Sequence, residues 1–467
     1  MTESELKREH ETPKIDITEK IQAQLRNLGG SYTRPTNGFP WPMPQKMELG
    51  PENMTVSGEN FKFISTLQCD ILDEAITRYK KIIFASKESS PVTSSSMVQL
   101  NIDVETSCEK YPHENMNENY TLWIWRNGTG LLKAPSIWGA LRGLETFSQL
   151  FYSLDLKQLY IRTAEITDYP RFGFRGILID TSRHFVEVPT LLKNLDLMAQ
   201  NKMNVFHWHI VDDQSFPYES ILFPLMSLKG AFTQKHVYTV QDMQKVVEYA
   251  RLRGIRVVPE FDTPGHTLSW GAGQSGLLTP CYSSGKPDGT FGPIDPTKDS
   301  NYDFLMALFR EILTLFPDKY VHLGGDEVSF DCWASNPKIL EFMNLQGFGN
   351  DFAKLEEYYI QHLLSLVRKA RNDTGYLVWQ EVVDNGVQVK PDTVVHVWKG
   401  NNEGEWGAEL DRVTVKKLKA VLSSCWYLNY ISYGTDWYKY YQCDPQKFTN
   451  SNDAQKELVS GILRKPG

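Results

Sequence analysis

No apolar run in these 467 residues approaches the roughly 20 needed to cross a bilayer, so an ordinary membrane-spanning helix is not expected. There is no long basic block either. With a net charge of −8, nucleic acid and acidic membrane surfaces are poor partners. None of the six cysteines stands in a C-x-x-C pair, which argues against zinc-ribbon or thioredoxin-type chemistry and leaves disulfides open. Walker and dinucleotide Gly-rich fingerprints are missing too. The charged N-terminus, residues 1–20, lacks the apolar core of a signal peptide.

A composition of 41% hydrophobic and 12% aromatic residues is ordinary for a globular chain, and the length allows two domains with large cores. Four acceptor sequons, at Asn53, Asn119, Asn127 and Asn372, lean towards the secretory route. They conflict with the absent leader, and an incomplete N-terminus would reconcile the two.

Residues 1–45 are polar and Pro-rich and read as a poorly ordered lead-in. Residues 46–165 read as a small α+β domain. Within it, 97–102 and 120–125 alternate like half-buried strands, and 136–151 has helical apolar spacing. Tyr169-Pro170 marks a break, and residues 166–467 then alternate β-type runs with amphipathic helices. The β runs are 176–180, 204–211, 256–261, one starting at Tyr320, 376–382, 393–398 and 420–425. Helices are expected at 189–202, from an N-cap at Thr239 with Asp242 to a stop at Gly254, at 302–316 and at 355–370. Such alternation predicts an α/β fold, a parallel (β/α) barrel with its chemistry at the carboxyl ends of the strands. A doubly wound sheet would instead carry a Gly-rich turn after the first strand, where Asp180-Thr181-Ser182-Arg183 stands.

The strand ends form a consistent set. Arg183 follows the first; His207, His209, Asp212 and Asp213 surround the second; Glu260, Asp262 and His266 end the third. Gly324-Gly325 delivers Asp326 and Glu327 beyond the fourth, and Trp379, Glu381, Trp398, Trp426 and Tyr427 complete the ring. Acids with one Arg and aromatic walls suit a neutral, hydroxyl-rich ligand such as a sugar and fit phosphate poorly. Plainer readings exist: Arg183 as a salt-bridge partner of Asp180 or Asp212, His207 and His209 as core histidines, the two Trp as barrel packing. A metal on His207, His209 and Asp212 is disfavoured, since no His–carboxylate spacing recurs.

His322-Leu323-Gly324-Gly325-Asp326-Glu327-Val328 resembles the catalytic signature of family 20 glycoside hydrolases, the β-N-acetylhexosaminidases. Trp138-Gly139-Ala140-Leu141-Arg142-Gly143-Leu144-Glu145-Thr146-Phe147, Asp180-Thr181-Ser182-Arg183-His184 and Phe206-His207-Trp208-His209-Ile210-Val211-Asp212-Asp213 are similar to the animal lysosomal type. So are Pro259-Glu260-Phe261-Asp262-Thr263-Pro264-Gly265-His266 and Trp426-Tyr427-Leu428. The resemblance implies removal of terminal N-acetylhexosamine from a glycoconjugate without cofactor or metal, in a lysosomal or secreted protein that forms homo- or heterodimers. It implies Glu327 as general acid and Asp326 as the residue that steers the substrate's own acetamide. Tyr427 would align that acetamide and Trp379 and Trp398 would wall its pocket. Arg183 and Asp212 would hold ring hydroxyls, and His266, backed by Asp262, would tune the proton of Glu327. The implied disulfides are Cys69–Cys108 and Cys281–Cys332; Cys425 and Cys443 have no counterpart in the resemblance and either pair or stay free.

After the seventh β run the family continues into Gly-Gly-Glu-x-x-x-Trp-Gly-Glu, and residues 455–467 carry no such motif. The expectation is therefore a TIM barrel lacking its eighth strand, with unpaired edges on its first and seventh. That leaves, beside the enzyme, a second reading: a non-catalytic glycan-binding or unstable truncated product.

Overall fold

The computed structural model describes residues 38–85, 96–153, 158–448 and 451–464. Most of the expected lead-in, residues 1–45, lies outside the described residues. From Lys46 the chain builds a mixed sheet. Its strand order in space is Lys62–Ser65, Gln99–Val104, Thr129–Ala134, Tyr120–Ile124, Leu159–Asp168, Lys46–Val56, Ser96–Met97. Helices Asp70–Ile83 and Ile137–Gln149 turn their apolar faces to one core with this sheet, through Ile71, Leu72, Leu141, Leu144 and Phe147.

The remainder is a closed parallel barrel. Its strands are Phe174–Asp180, Val205–Val211, Arg256–Phe261, Tyr320–His322, Gly375–Trp379, Val394–Val397, Lys419–Leu422 and Val459–Arg464. They are rich in Val, Ile and Leu because they are covered on both faces, by helices outside and by side chains within. Helix Val240–Arg251 begins with the expected cap: Thr239 and Asp242 bond each other's backbone reciprocally.

The expectation of a missing eighth strand is overturned. Val459–Arg464 pairs on one side with the seventh strand (Val421↔Gly461, Leu422↔Ile462) and on the other with the first (Gly461↔Phe174, Leu463↔Gly176). Neither of those neighbours keeps an open edge. Ser460 and Gly461 interrupt the apolar pattern, so the run does not read as a strand, yet the glycine is what lets it close. A Cβ on Gly461 would collide with the Phe174 carbonyl oxygen. Gly461→Ala is therefore expected to destabilise the fold by about 1–3 kcal/mol, as overpacking does, measured by urea unfolding. An unchanged midpoint would mean that this closure is not tight.

A second correction concerns the fifth strand, expected over 376–382. It ends at Trp379, and Gln380–Asp384 is a helical turn. The side-chain oxygen of Gln380 accepts the backbone N–H groups of Trp398 and Lys399, which anchors the turn to the end of the sixth strand.

Sheet and barrel are joined by buried charge. Glu118 Oε1 accepts from Arg142 Nε and Arg175 Nη2, both at 2.7 Å, while Arg142 also donates to the carbonyls of Arg253 and Gly254. Disulfides join Cys69–Cys108, Cys281–Cys332 and Cys425–Cys443. The second ties a hairpin, Leu278–Ser283 with Lys286–Ile294, to the short helix Asp331–Ser335 just beyond Glu327.

Candidate active site

The fourth strand is only Tyr320–His322, and the turn beyond it is set by two glycines with φ of +67° and +96°. A Cβ on Gly324 would collide with Asp262 Oδ1, and the Gly325 N–H donates to that same oxygen at 2.8 Å. The close approach of Asp262 thus requires glycine here. Glu327 itself has φ +51°, a conformation that costs a non-glycine residue about 1 kcal/mol or more. Through this turn the adjacent acids part: the Asp326 side chain is 16% exposed, that of Glu327 60%.

Two groups flank the pair. Burial pushes the Asp262 carboxyl well above the carboxylate range, and the charge and hydrogen bond of Asp326 add to it. Asp262 Oδ2 and Asp326 Oδ1 are both buried without an N–H or O–H donor among the described residues. A proton held on Asp262 would give both atoms a partner and leave Asp326 as the acceptor. His266, φ +58°, places Nε2 at 3.6 Å from both Asp326 Oδ2 and Glu327 Oε2. Its Nδ1 lies 3.2 Å from Asp212 Oδ1, whereas Asp262 is 4.0 Å from Nε2, so the carboxylate that bonds His266 is Asp212 rather than the expected Asp262. Burial opposes its charge, but the Asp212 bond and the Asp326 charge outweigh it and raise the imidazole to about 9.

Arg183 makes both of the pairings its sequence position allowed: Nη1 is 2.9 Å from Asp180 Oδ2 and 2.8 Å from Asp212 Oδ2. Behind it, His209 bridges Asp212 (2.7 Å) and Glu260 (2.8 Å), and these acids hold it protonated against burial, up to about 10. His207 and His209 are both buried and bonded, as core histidines are. On the opposite wall, Trp398 stacks on Tyr427 with centroids 6.2 Å apart and donates its indole N–H to Glu381. Trp379 is buried in the barrel and donates its own to Glu260. Burial and the Asp326 charge raise the Tyr427 phenol far above its ordinary value, which keeps it a donor.

One group is legible in the sequence only in part, and another not at all. Glu260 is visible as an inward acid alternating with Asp262, but its partners depend on strand register. Glu356, on helix Phe352–Ala370, reads as a surface acid and is buried behind Glu381. Burial pushes its carboxyl up to about 7; the Asn385 hydrogen bond opposes this and the Glu381 charge adds to it. The folded chain therefore holds this proton more tightly than the unfolded one. Its stabilising contribution is complete below the ordinary value near 4.5 and is lost as pH rises through 7. Glu356→Gln is expected to remove that loss, at most on the order of 3 kcal/mol, in urea unfolding at acidic and neutral pH. Parallel pH profiles for wild type and variant would contradict it.

The description "Glycosyl hydrolase family 20, catalytic domain" matches residues 172–462, and "beta-acetyl hexosaminidase like" matches residues 40–150. Among curated relatives, the beta-hexosaminidase subunit alpha of Bos taurus is 48% identical over 90% of this chain and 82% of its own length. The beta-hexosaminidase subunit beta of Homo sapiens is 48% identical over 90% of this chain and 77% of its own. Among solved structures, the chitobiase of Flavobacterium johnsoniae superposes with a TM-score of 0.77 at 31% identity, over 92% of this chain and 65% of that one.

Proposed function

This chain belongs to glycosyl hydrolase family 20, and we propose that it removes terminal, non-reducing β-linked GlcNAc or GalNAc from glycoconjugates, with retention, using the substrate's own acetamide as nucleophile. The observation that carries this reading is the division between neighbouring carboxyls. Asp326 is enclosed beside the Asp262 carboxyl, which burial pushes up; Glu327 is exposed and free to meet a leaving group.

Glu327 protonates the glycosidic oxygen as the C1–O bond breaks. The acetamide carbonyl oxygen bonds to C1, giving an oxazolinium ion, while Asp326 accepts from the acetamide N–H and offsets its growing positive charge. Tyr427 donates to the acetamide oxygen and aligns it, with Trp379 and Trp398 as walls. The His266 cation stabilises the carboxylate that Glu327 becomes. That carboxylate then takes a proton from the water that opens the ring, and Glu327 is reset. Arg183 and Asp212 hold ring hydroxyls.

The purified chain should release 4-nitrophenol from the β-N-acetylglucosaminide and not from the β-glucoside, which has no acetamide. Equal cleavage of both would sink the reading. The alternative, a glycan-binding protein without turnover, drew its support from an open barrel, and closure by Val459–Arg464 removes that support.

All four sequon asparagines are exposed, which supports the secretory route and a lysosomal or secreted destination. Enzymatic deglycosylation of the native protein should lower its mass, and an unchanged mass would count against this. No helix among the described residues is long and apolar enough to cross a membrane. The bovine and human relatives are subunits. Exposed Tyr430, Ile431, Tyr433, Trp437 and Tyr441, on one segment after Tyr427, support association into a homo- or heterodimer. A protein that sediments as a monomer in native extract would exclude this.

A further inference from the structure

Midway along the barrel, the second, fourth and sixth strands each turn a histidine inward: His207, His322 and His396, all fully buried. One barrel layer is filled from alternate strands, and such layers are usually aliphatic. The intervening strands keep to that, with Leu178, Val258, Leu377 and Val421. Burying polar rings is costly unless they are bonded, and one carboxylate does much of the bonding.

Glu260, from the third strand, has no exposed surface. Its Oε2 accepts from His207 Nε2 at 2.6 Å and His209 Nδ1 at 2.8 Å. Oε1 accepts the Trp379 indole N–H at 2.7 Å and lies 3.4 Å from His322 Nδ1. The Trp379 ring lies flat on His396, centroids 4.1 Å apart and 19° from parallel, and leans on His322 at 4.8 Å. A flat ring on a broad two-fold torsion has no preferred face of its own. Its orientation comes from the bond at its N–H end and the imidazole beneath it.

We propose that Glu260 is the positioning residue of the N-acyl pocket: it fixes the Trp379 indole over the histidine layer, and so selects acetyl over larger acyl groups. This rests on the proposed role of Trp379 as a wall of the acetamide pocket. A carboxylate is required because three donors converge on it. A glutamine has one acceptor oxygen and would turn its NH₂ on a donor on either side.

The test compares kcat/KM for the 4-nitrophenyl N-acetyl- and N-propionyl-β-glucosaminides in wild type, Glu260→Gln, Trp379→Phe and the double variant. Wild type is expected to prefer acetyl about tenfold or more, as one methylene in a shaped pocket allows. Glu260→Gln should bring the ratio to within about threefold of unity, and in the Trp379→Phe background it should change the ratio no further. A Glu260→Gln enzyme that loses activity equally on both substrates, or ratio effects that simply add, would overturn the proposal and leave Glu260 structural. Should Glu260→Gln not fold, His396→Gln loosens the same ring from beneath and is measured identically; an unchanged ratio would overturn it. A wild type silent on both substrates would refute the proposed function itself. One that is active without acyl preference would refute only this inference.

Discussion

Replacing Glu327 with glutamine is expected to lower kcat on an alkyl N-acetyl-β-glucosaminide by about 10²–10⁴-fold, the usual weight of a general acid. The loss should be smaller on the 4-nitrophenyl glycoside, because a good leaving group needs less help from a proton. The substitution keeps the shape of the side chain and removes only its transferable proton. Because Glu327 is mostly exposed and, among the described residues, its ion-pair neighbour is His266 at 3.6 Å, folding stability should not fall measurably. Parallel measurements of kcat on both substrates and of thermal unfolding separate the two effects. Equal losses on both leaving groups would mean that Glu327 does not protonate the departing oxygen.

Asp326→Asn should act differently. Asp326 lies beside the raised Asp262 carboxyl and, in the proposed reaction, offers Oδ2, 3.6 Å from His266 Nε2, to the substrate. An asparagine can accept the Asp262 proton with its oxygen, but its NH₂ then faces the acetamide N–H, donor against donor. The negative charge that would offset the forming oxazolinium ion is also gone. A fall in kcat of about 10²–10³-fold is expected, comparable to losing one well-placed electrostatic partner of a transition state. KM should change much less, because the charge it stabilises develops only during reaction. Removing one of two crowded acids also relieves Asp262, so the variant should be no less stable than wild type. A variant whose loss falls mainly in KM would assign Asp326 to ground-state binding instead.

Much of this site is legible because the chain places its chemistry at the ends of strongly apolar β runs. The third strand is expected at 256–261 and is found there, with Glu260 and Asp262 inward and His266 just beyond. Thr239 and Asp242 announce their helix by local chemistry alone, and Gly324-Gly325 announces a turn. The features that cannot be read depend on contacts between distant segments. The eighth strand is short and broken by Ser460 and Gly461, and only the carbonyl of Phe174 explains why a glycine belongs there. Val382 and Val383 continue the apolar run of the fifth strand, yet the side chain of Gln380 ends it. The resemblance backs His266 with Asp262, whereas the fold brings Asp212 nearer. The histidine layer is invisible until strands two, four and six are set side by side, and the buried Glu356 until its helix is docked.

If the substrate's acetamide oxygen is the nucleophile, weakening that oxygen must slow the enzyme even though nothing in the protein has changed. Fluorine withdraws electrons from the carbonyl and adds little volume. A series of 4-nitrophenyl β-glucosaminides carrying acetyl, fluoroacetyl, difluoroacetyl and trifluoroacetyl groups therefore tests the point directly. A kcat/KM that falls with each added fluorine is the expected result. A kcat/KM that stays level across the series would mean that a protein carboxylate or a water attacks the anomeric carbon, and would contradict the roles given to Asp326 and Glu327.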